Sequence, residues 1–247
     1  MKKMVLTAVI WCCMGSLAIA QTTQVNYKAT FGIFGKVGNI TNTIIHKDKH
    51  YQIKTKVTLA GLAKLIMGGQ TEEYISKGHL ENGRMVSDMY QMISRKKHTV
   101  TSKDYQINHK QKRVVKRYRK WVKGKLIKDT SSTLNFYAKD DLLTLYFNMD
   151  NYVRIHHKGT IFTVKAVGLE KQKGIVKITV PSEHEETIYK KDLGEHITWY
   201  AKALIVQKNF RKKKGDILLG GGQDGFIKKA VIKDILMYGD AKLIRIK

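Results

Sequence analysis

Apolar and polar residues alternate with a period of two along most of this chain. The clearest cases are the segments 25–33 and 51–59. In the second segment one face carries Tyr51, Ile53, Thr55, Val57 and Leu59, and the opposite face carries Gln52, Lys54, Lys56 and Thr58. A strand with one apolar face and one polar face is typical of an antiparallel sheet that is buried on one side.

Short polar segments separate these strands and have the length of hairpin loops. His46–His50 precedes the strand 51–59, and three more hairpins are expected in the second half of the chain: 160–167 with 174–180, 198–209 with 216–219, and 226–237 with 241–246. Pro181 lies at the end of a strand, where it interrupts no central pairing. The pattern predicts a mainly β protein, with a curved antiparallel sheet or a partly open β-barrel.

Two segments break the alternation. Residues 59–69 form either a short helix that ends at Gly68-Gly69 or a bend in a strand. Residues 140–149 are apolar at helical density, and Asp140 or Asp141 can cap the helix. We therefore predict one short helix near 140–149, buried against or inside the sheet.

The first twenty residues have the pattern of a secretory signal peptide. Met1-Lys2-Lys3 is positively charged, residues 4–14 are apolar, and Ala18 and Ala20 are small residues at the two positions that a signal peptidase reads. The apolar run is too short for a membrane span. The alternative is a buried N-terminal helix. We expect cleavage before Gln21, and a periplasmic location in a Gram-negative bacterium.

Residues 21–247 are expected to form a single β-rich domain, with a possible soft division near 129–139. Both cysteines, Cys12 and Cys13, fall within the signal peptide, so the exported chain has no disulfide and no thiolate site. Lipidation of Cys12 is excluded because Trp11 precedes it, where a small residue is needed.

The chain is strongly basic, with a formal net charge of +26 at pH 7, of which Lys2 and Lys3 contribute two. Export makes nucleic acid an improbable partner. The remaining polyanions are anionic lipid, lipopolysaccharide and acidic polysaccharide. The alternative is a set of solvated lysine faces with no partner.

The positive charge is densest between Arg95 and Lys128, which hold fourteen Lys or Arg residues and one acid, Asp104. Basic residues next to tyrosine and tryptophan suit an anionic surface that is partly apolar, such as a membrane interface. The alternative is an edge strand that lysines protect from aggregation. The candidate residues for binding an anionic surface are Arg113, Arg117, Arg119, Lys123, Tyr118 and Trp121.

No catalytic, cofactor-binding or metal-binding residues are predicted. His156-His157 would point to opposite faces of a strand, and His184-Glu185-Glu186 lacks the second histidine of a zinc protease motif. The glycine-rich segment 220–225 precedes a strand, whereas a nucleotide cradle precedes a helix. Adjacent carboxylates such as Asp140-Asp141 are expected to lie on different faces.

Several segments together resemble an exported bacterial family, domain of unknown function 3108. They are Tyr27–Gly38, Gly61-Leu62-Ala63, Tyr74–Gly78, Asp141–Phe147, Asp224-Gly225 and Asp234–Gly239. The chain departs from the family pattern at Ser87, where a proline is expected, and lacks another proline near its last strand. The resemblance implies a periplasmic, mainly antiparallel β protein, and it brings no established activity and no catalytic residues.

These features favour a non-catalytic periplasmic protein that binds or handles an anionic envelope component, either a lipid or a polysaccharide. Two alternatives stay open. One is an envelope hydrolase or carbohydrate-active enzyme, which would need an acid–base pair in a concave site. The other is a structural partner of an outer-membrane complex.

Overall fold

The computed structural model describes residues 20–60, 69–206, 214–233 and 239–246. The expected signal peptide up to residue 19 and most of the irregular segment 59–69 lie outside the described residues. So do the resembling segment 61–63 and most of the segment 234–239.

The described residues form one sheet of fifteen strands. The strands are β1 Gln21–Phe31, β2 Lys36–Lys47, β3 His50–Leu59, β4 Thr71–Glu81, β5 Arg84–Lys96, β6 Thr99–Asn108, β7 Arg113–Val122, β8 Lys125–Thr133, β9 Asp140–Asp141, β10 Ile161–Val167, β11 Ile175–Thr179, β12 Trp199–Val206, β13 Lys214–Gly221, β14 Ile227–Ile232 and β15 Ala241–Ile246. Two 3-10 turns, Gly32–Phe34 and Glu170–Gln172, accompany them.

The strand order is β8-β7-β6-β5-β4-β3-β2-β1-β15-β14-β13-β12-β11-β10-β9. Strands that follow one another in the chain pair in antiparallel fashion, with two exceptions. The strands β8 and β9 are not paired, and the short β9 pairs in parallel with β10. In addition, the first strand pairs with the last, with Tyr27 opposite Arg245. The expected hairpins of the second half are present as β10–β11, β12–β13 and β14–β15.

The connection 134–139 joins the two ends of this strand order, since it leads from β8 to β9. Just before β9, the carbonyl of Lys139 accepts a hydrogen bond of 2.8 Å from the Ser87 amide in β5. This hydrogen bond holds β9, at one end of the strand order, against β5 in the first half of the chain. The sheet curls around its core, in agreement with the predicted curved antiparallel sheet.

Three α-helices lie in the described residues: α1 Leu142–Phe147, α2 Met149–Arg154 and α3 Glu183–Leu193. The helix predicted near 140–149 is confirmed in place as α1, although its first two residues form β9 and Asn148 separates it from α2. Of the two candidates for the N-cap, Asp140 and Asp141, the structure uses Asp141. The helix α3 was not predicted.

The helix α1 fills the concave side of the sheet and contacts three apolar clusters. Leu145 packs against β10–β14, Phe147 packs with the inner residues of β1–β3, and Leu142 packs with those of β5–β7. The side chains that alternate inward along the strands are therefore buried around one short helix. Within the described residues, no helix is long and apolar enough to cross a bilayer.

Candidate anion-binding surface

The most basic segment of the chain forms β7 and its neighbours β6 and β8, at one end of the sheet. Paired residues on neighbouring antiparallel strands share a face of the sheet. Tyr90, Tyr105 and Lys116 are paired across β5, β6 and β7, and the two tyrosines are fully buried. Residues an even number of positions from them lie on the core-facing side, and the others lie on the outer side.

The outer side of β7 carries basic residues whose charge is already paired. The guanidinium of Arg117 donates to Asp129 at 2.8 and 2.5 Å, and that of Arg119 donates to Asp104 at 2.8 Å. Arg119 also lies over the Trp121 ring, 5.3 Å from its centroid. Burial acts to raise the pKa of Asp104, but hydrogen bonds, above all from Arg119, hold it below its usual value. Among the residues that the structure describes, Arg113 is the arginine on this side of β7 without an acidic partner, so two of its three arginine charges are compensated.

The core-facing side of the same strands carries a cluster that we name the lysine face: Lys96, Lys103, Lys120 and Lys128 around Tyr118. Tyr118 is paired with Lys103 on β6, and Lys120 is paired with Lys128 on β8. A depression beside them is lined by Ser94, Lys96, Thr101, Tyr118 and Lys120.

None of these four lysines has an acidic partner in the part of the chain that the structure describes. Like charges directly opposite one another on paired strands destabilise a sheet. The pair Lys120–Lys128 is such a case. The ammonium of Lys128 lies 5.7 Å from the centroid of the Tyr118 ring, which relieves part of the repulsion. The lysine face can therefore bind an anion without breaking an existing ion pair.

The acids at the borders of the lysine face are engaged elsewhere. Glu170 accepts from Lys116 at 2.9 Å and from the Tyr105 hydroxyl. Burial acts to raise the pKa of Glu170, yet these hydrogen bonds keep it below its usual value. On β4, Glu72 accepts from Gln70 at 2.7 Å and from the Tyr74 hydroxyl. Neither carboxylate makes an ion pair with the lysine face.

Exposed apolar side chains lie next to the β7–β8 turn, and Leu126 shares the outer side with Trp121, opposite to the lysine face. Leu126 is 47% exposed and Ile127 is 53% exposed, and Leu126 is paired with Trp121. Lys123 occupies the turn with φ 49°, followed by Gly124. We call residues 121–127 the hairpin tip. It combines an indole, two aliphatic side chains and lysines at one end of the molecule.

The structure divides the six residues predicted for anion binding between three places. Arg113, Arg117, Arg119 and Trp121 lie on the outer side, with Val115 between the first two. Tyr118 lies on the core-facing side, and Lys123 lies in the turn. The prediction missed the unpaired lysines of β5, β6 and β8. The density of lysines in the sequence was the signal that could have pointed to them. The sequence does not show that Arg117 and Arg119 are paired with Asp129 and Asp104, because that pairing depends on strand register.

The adjacent carboxylates Asp140 and Asp141 are both buried, at 3% and 0% exposure. Asp140 accepts from the Asn148 amide at 2.9 Å and from the Tyr152 hydroxyl at 2.5 Å. Burial raises the pKa of Asp140 to about 6, helped by the charge of Asp141 and opposed by these two hydrogen bonds. At these exposures neither carboxylate offers a surface to a substrate.

Asp141 holds α1 to the sheet. Its Oδ2 accepts from Ser76 at 2.5 Å and from Ser87 at 2.6 Å, while its Oδ1 accepts from the amides of Leu143 and Thr144. Burial raises the pKa of Asp141, and these four donors oppose the rise. The sequence predicted the cap, whereas the two serines come from strands far away in the chain.

A second surface depression carries charges of both signs. It is lined by Glu195, His196, Asp224, Lys228 and Arg245, among others. Arg245 is paired with Asp224 at 2.6 Å. Because its acids and bases are mixed, this depression selects anions less well than the lysine face.

The chain is similar in structure to a crystallised β-barrel-like protein of domain of unknown function DUF1849 from Brucella abortus. The TM-score is 0.51 at 8% sequence identity, over 91% of this chain and 95% of that chain. No family model and no curated protein matches the sequence. At this identity the likeness concerns the fold alone, and it confirms the prediction of a curved, barrel-like antiparallel sheet. The resemblance to domain of unknown function 3108 stays a prediction.

Proposed function

We propose that this protein binds an anionic lipid surface of the cell envelope, without catalysis, through the lysine face and the hairpin tip. The observation that carries the proposal is the pair Lys120–Lys128. These two lysines are paired across neighbouring strands and have no acidic partner among the described residues, so a bound anion would relieve the repulsion between their ammonium groups.

The expected strength follows from the number of exposed charges. A basic residue near an anionic membrane contributes about 1 kcal/mol, and the Debye length is about 8 Å at physiological salt. Four lysines acting on one surface are therefore enough for reversible attachment that salt weakens. The apolar side chains of Leu126 and Ile127 add a contribution that salt does not screen.

The hairpin tip favours a lipid over a soluble polysaccharide. Tryptophan is enriched at membrane interfaces, where its ring lies at the level of the headgroups. At the end of the hairpin, Trp121, Leu126 and Ile127 would enter such an interface while Lys123 and Lys125 of the hairpin tip stay at the phosphates. A soluble polysaccharide, in contrast, offers no apolar region in which the two aliphatic side chains could be buried.

The proposal includes export to the periplasm and membership of domain of unknown function 3108. The start of β1 at Gln21, directly after the expected cleavage position, supports a mature chain that begins there. The enzymatic alternative is not favoured, because the carboxylates whose pKa values are raised, Asp140 and Asp141, are buried.

Vesicle sedimentation with two matched triple variants tests the proposal. One variant carries Lys103→Gln, Lys120→Gln and Lys128→Gln on the lysine face, and the other carries Arg113→Gln, Arg117→Gln and Arg119→Gln on the outer side. Both lose three positive charges. The lysine-face variant should bind vesicles of anionic lipid on the order of 100-fold more weakly than the unchanged protein, since about 1 kcal/mol is lost per residue. The outer variant should lose less than about tenfold.

Vesicles of neutral lipid and a salt titration serve as controls, and circular dichroism checks that each variant is folded. Equal binding to neutral and anionic vesicles would contradict the proposal, as would a larger loss in the outer variant. Retention on a soluble acidic polysaccharide without binding to vesicles would assign the site to the polysaccharide. If the protein bound neither the vesicles nor the polysaccharide, the proposal would be wrong, and the lysines would serve to protect the β8 edge from pairing with other chains.

A further inference from the structure

Three side chains of metal-binding type meet where β4, β5 and the turn after β6 come together. They are His79 in β4, Asp88 in β5 and His109 just after β6. One ligand atom from each lies within 4.8 Å of the other two. This cluster is separate from the lysine face, and none of the histidine pairs considered in the sequence contains either of its histidines.

A β-bulge creates the arrangement. Lys77 pairs with Met89 and Gly78 pairs with Ser87, which leaves Asp88 as the extra residue on β5. A bulge re-aims side chains and is over-represented at functional positions. Here Ser87 turns inward to Asp141, while Asp88 turns to the two histidines. The bulge therefore supplies the carboxylate of the cluster.

The distances already approach those of a coordinated ion. The Nδ1 of His79 lies 3.0 Å from both carboxylate oxygens of Asp88, and the Nε2 of His109 lies 3.1 Å from Oδ1. Ligands with bonds of about 2.0–2.1 Å to a tetrahedral zinc ion are about 3.3 Å apart. To bind an ion, the nitrogens would move slightly away from Asp88, and the two histidine nitrogens, which lie within 4.8 Å of one another, would adopt the same spacing.

We propose that His79, Asp88 and His109 bind a divalent transition-metal ion of the zinc type. Two imidazole nitrogens and one carboxylate oxygen are the donors that zinc accepts, whereas Mg²⁺ prefers oxygen ligands alone. The three side chains are 35%, 44% and 24% exposed, so an ion can enter from solvent. A fourth position remains for water.

The surroundings orient one ligand as a metal site requires. Metal-binding histidines usually donate their second ring N–H to a fixed partner, which sets the tautomer. The Nδ1 of His109 lies 2.8 Å from the Tyr137 hydroxyl, and its Nε2 lies 3.0 Å from the Ser87 carbonyl oxygen. On metal binding the N–H at Nδ1 would donate to Tyr137, and Nε2 would turn from the Ser87 carbonyl to the ion. Tyr137 acts as a positioning residue for His109.

Isothermal titration of the untagged chain with Zn²⁺ alone tests the site. We expect one ion per chain, and loss of that ion in the double variant His79→Gln, His109→Gln. Asp88→Asn, which keeps the size of the side chain, should also weaken binding. The variant Tyr137→Phe should weaken Zn²⁺ binding about tenfold, because removing an outer partner of a metal ligand typically costs 10–100-fold in affinity.

His184→Gln is the matched control, since it removes an exposed histidine outside the cluster. It should leave the affinity for Zn²⁺ unchanged, and Mg²⁺ should give no comparable heat. Circular dichroism without metal checks that the variants are folded. Unchanged Zn²⁺ affinity in the folded double variant or in Asp88→Asn would overturn the assignment, as would failure of the unchanged chain to bind one ion.

Discussion

At the residue scale, the buried carboxyl of Asp140 links the fold to pH. Burial raises its pKa to about 6 in the folded protein, compared with 3.8 for an ordinary aspartate. Between these two values the folded chain holds a proton that the unfolded chain has lost. The free energy of unfolding therefore falls as pH rises through this window, and the stabilising contribution of Asp140 is lost above pH 6.

The variant Asp140→Asn should remove this dependence. We expect the free energy of unfolding of the unchanged protein, relative to that of the variant, to fall by up to about 3 kcal/mol between pH 4 and pH 7, because each pKa unit corresponds to about 1.4 kcal/mol. Urea unfolding at several pH values measures the difference.

Comparison with the variant is needed because other groups titrate in the same range. Their contributions appear in both proteins and largely cancel. A difference that stays constant from pH 4 to pH 7, or that rises, would show that Asp140 keeps an ordinary pKa in the folded chain.

Single residues were predictable from the sequence where their role is local. A cap by Asp140 or Asp141 was expected, because a capping side chain acts on amides two and three residues later, and Asp141 does so. The lysine face and the cluster of His79, Asp88 and His109 depend on register and on a bulge, which a sequence of alternating residues does not reveal. The pairing of Arg117 with Asp129 across a hairpin was missed for the same reason.

At the scale of elements, α1 is stabilised mainly by its attachment to β4 and β5. It has only six residues, and a helix of that length is not stable alone in water. Its N-cap Asp141 is held by the hydroxyls of Ser76 and Ser87, both fully buried. These hydrogen bonds fix the helix against the inner face of the sheet.

Ser87→Ala should therefore destabilise the protein. Leaving a buried polar group without one of its partners costs about 1–3 kcal/mol, and we expect a loss of that size in the free energy of unfolding. Chemical unfolding measures it.

Ser94→Ala is the control on the same strand, at a position that is only partly buried. It should change the free energy of unfolding by no more than about 0.5 kcal/mol. Equal effects of the two substitutions would mean that the contact between Ser87 and Asp141 does not anchor the helix.

Alternation identified β1 and β3 well, since their inner side chains are buried and their outer ones are wet. The helix α3 escaped prediction because only Tyr189 and Leu193 are buried in it, so its apolar periodicity is weak. A local signal did exist, the capping box formed by Ser182 and Glu185.

At the scale of the whole molecule, the expected export of the chain has a direct test. N-terminal sequencing of protein from the periplasmic fraction should begin at Gln21, because Ala18 and Ala20 supply the small side chains that the peptidase requires. A soluble cytoplasmic pool that retains Met1 would contradict the proposed location and with it the proposed envelope ligand.

The class of the fold followed from the sequence, but its strand order did not. Hairpins such as β10–β11 depend on residues close together in the chain, so polar loops mark them. The pairing of β1 with β15 and the parallel contact of β9 with β10 join distant segments, and no local pattern specifies them.

The pairing of β1 with β15 also determines the order in which the sheet can be completed during synthesis. β2 covers one edge of β1 as soon as the first hairpin forms, while the other edge waits for residues 241–246. Translation makes the N-terminal part first, so this edge stays unpaired while nearly all of the chain is produced. An open strand edge invites pairing with other chains. An incomplete chain is therefore vulnerable to aggregation at this edge of β1, which is covered once β15 pairs with it.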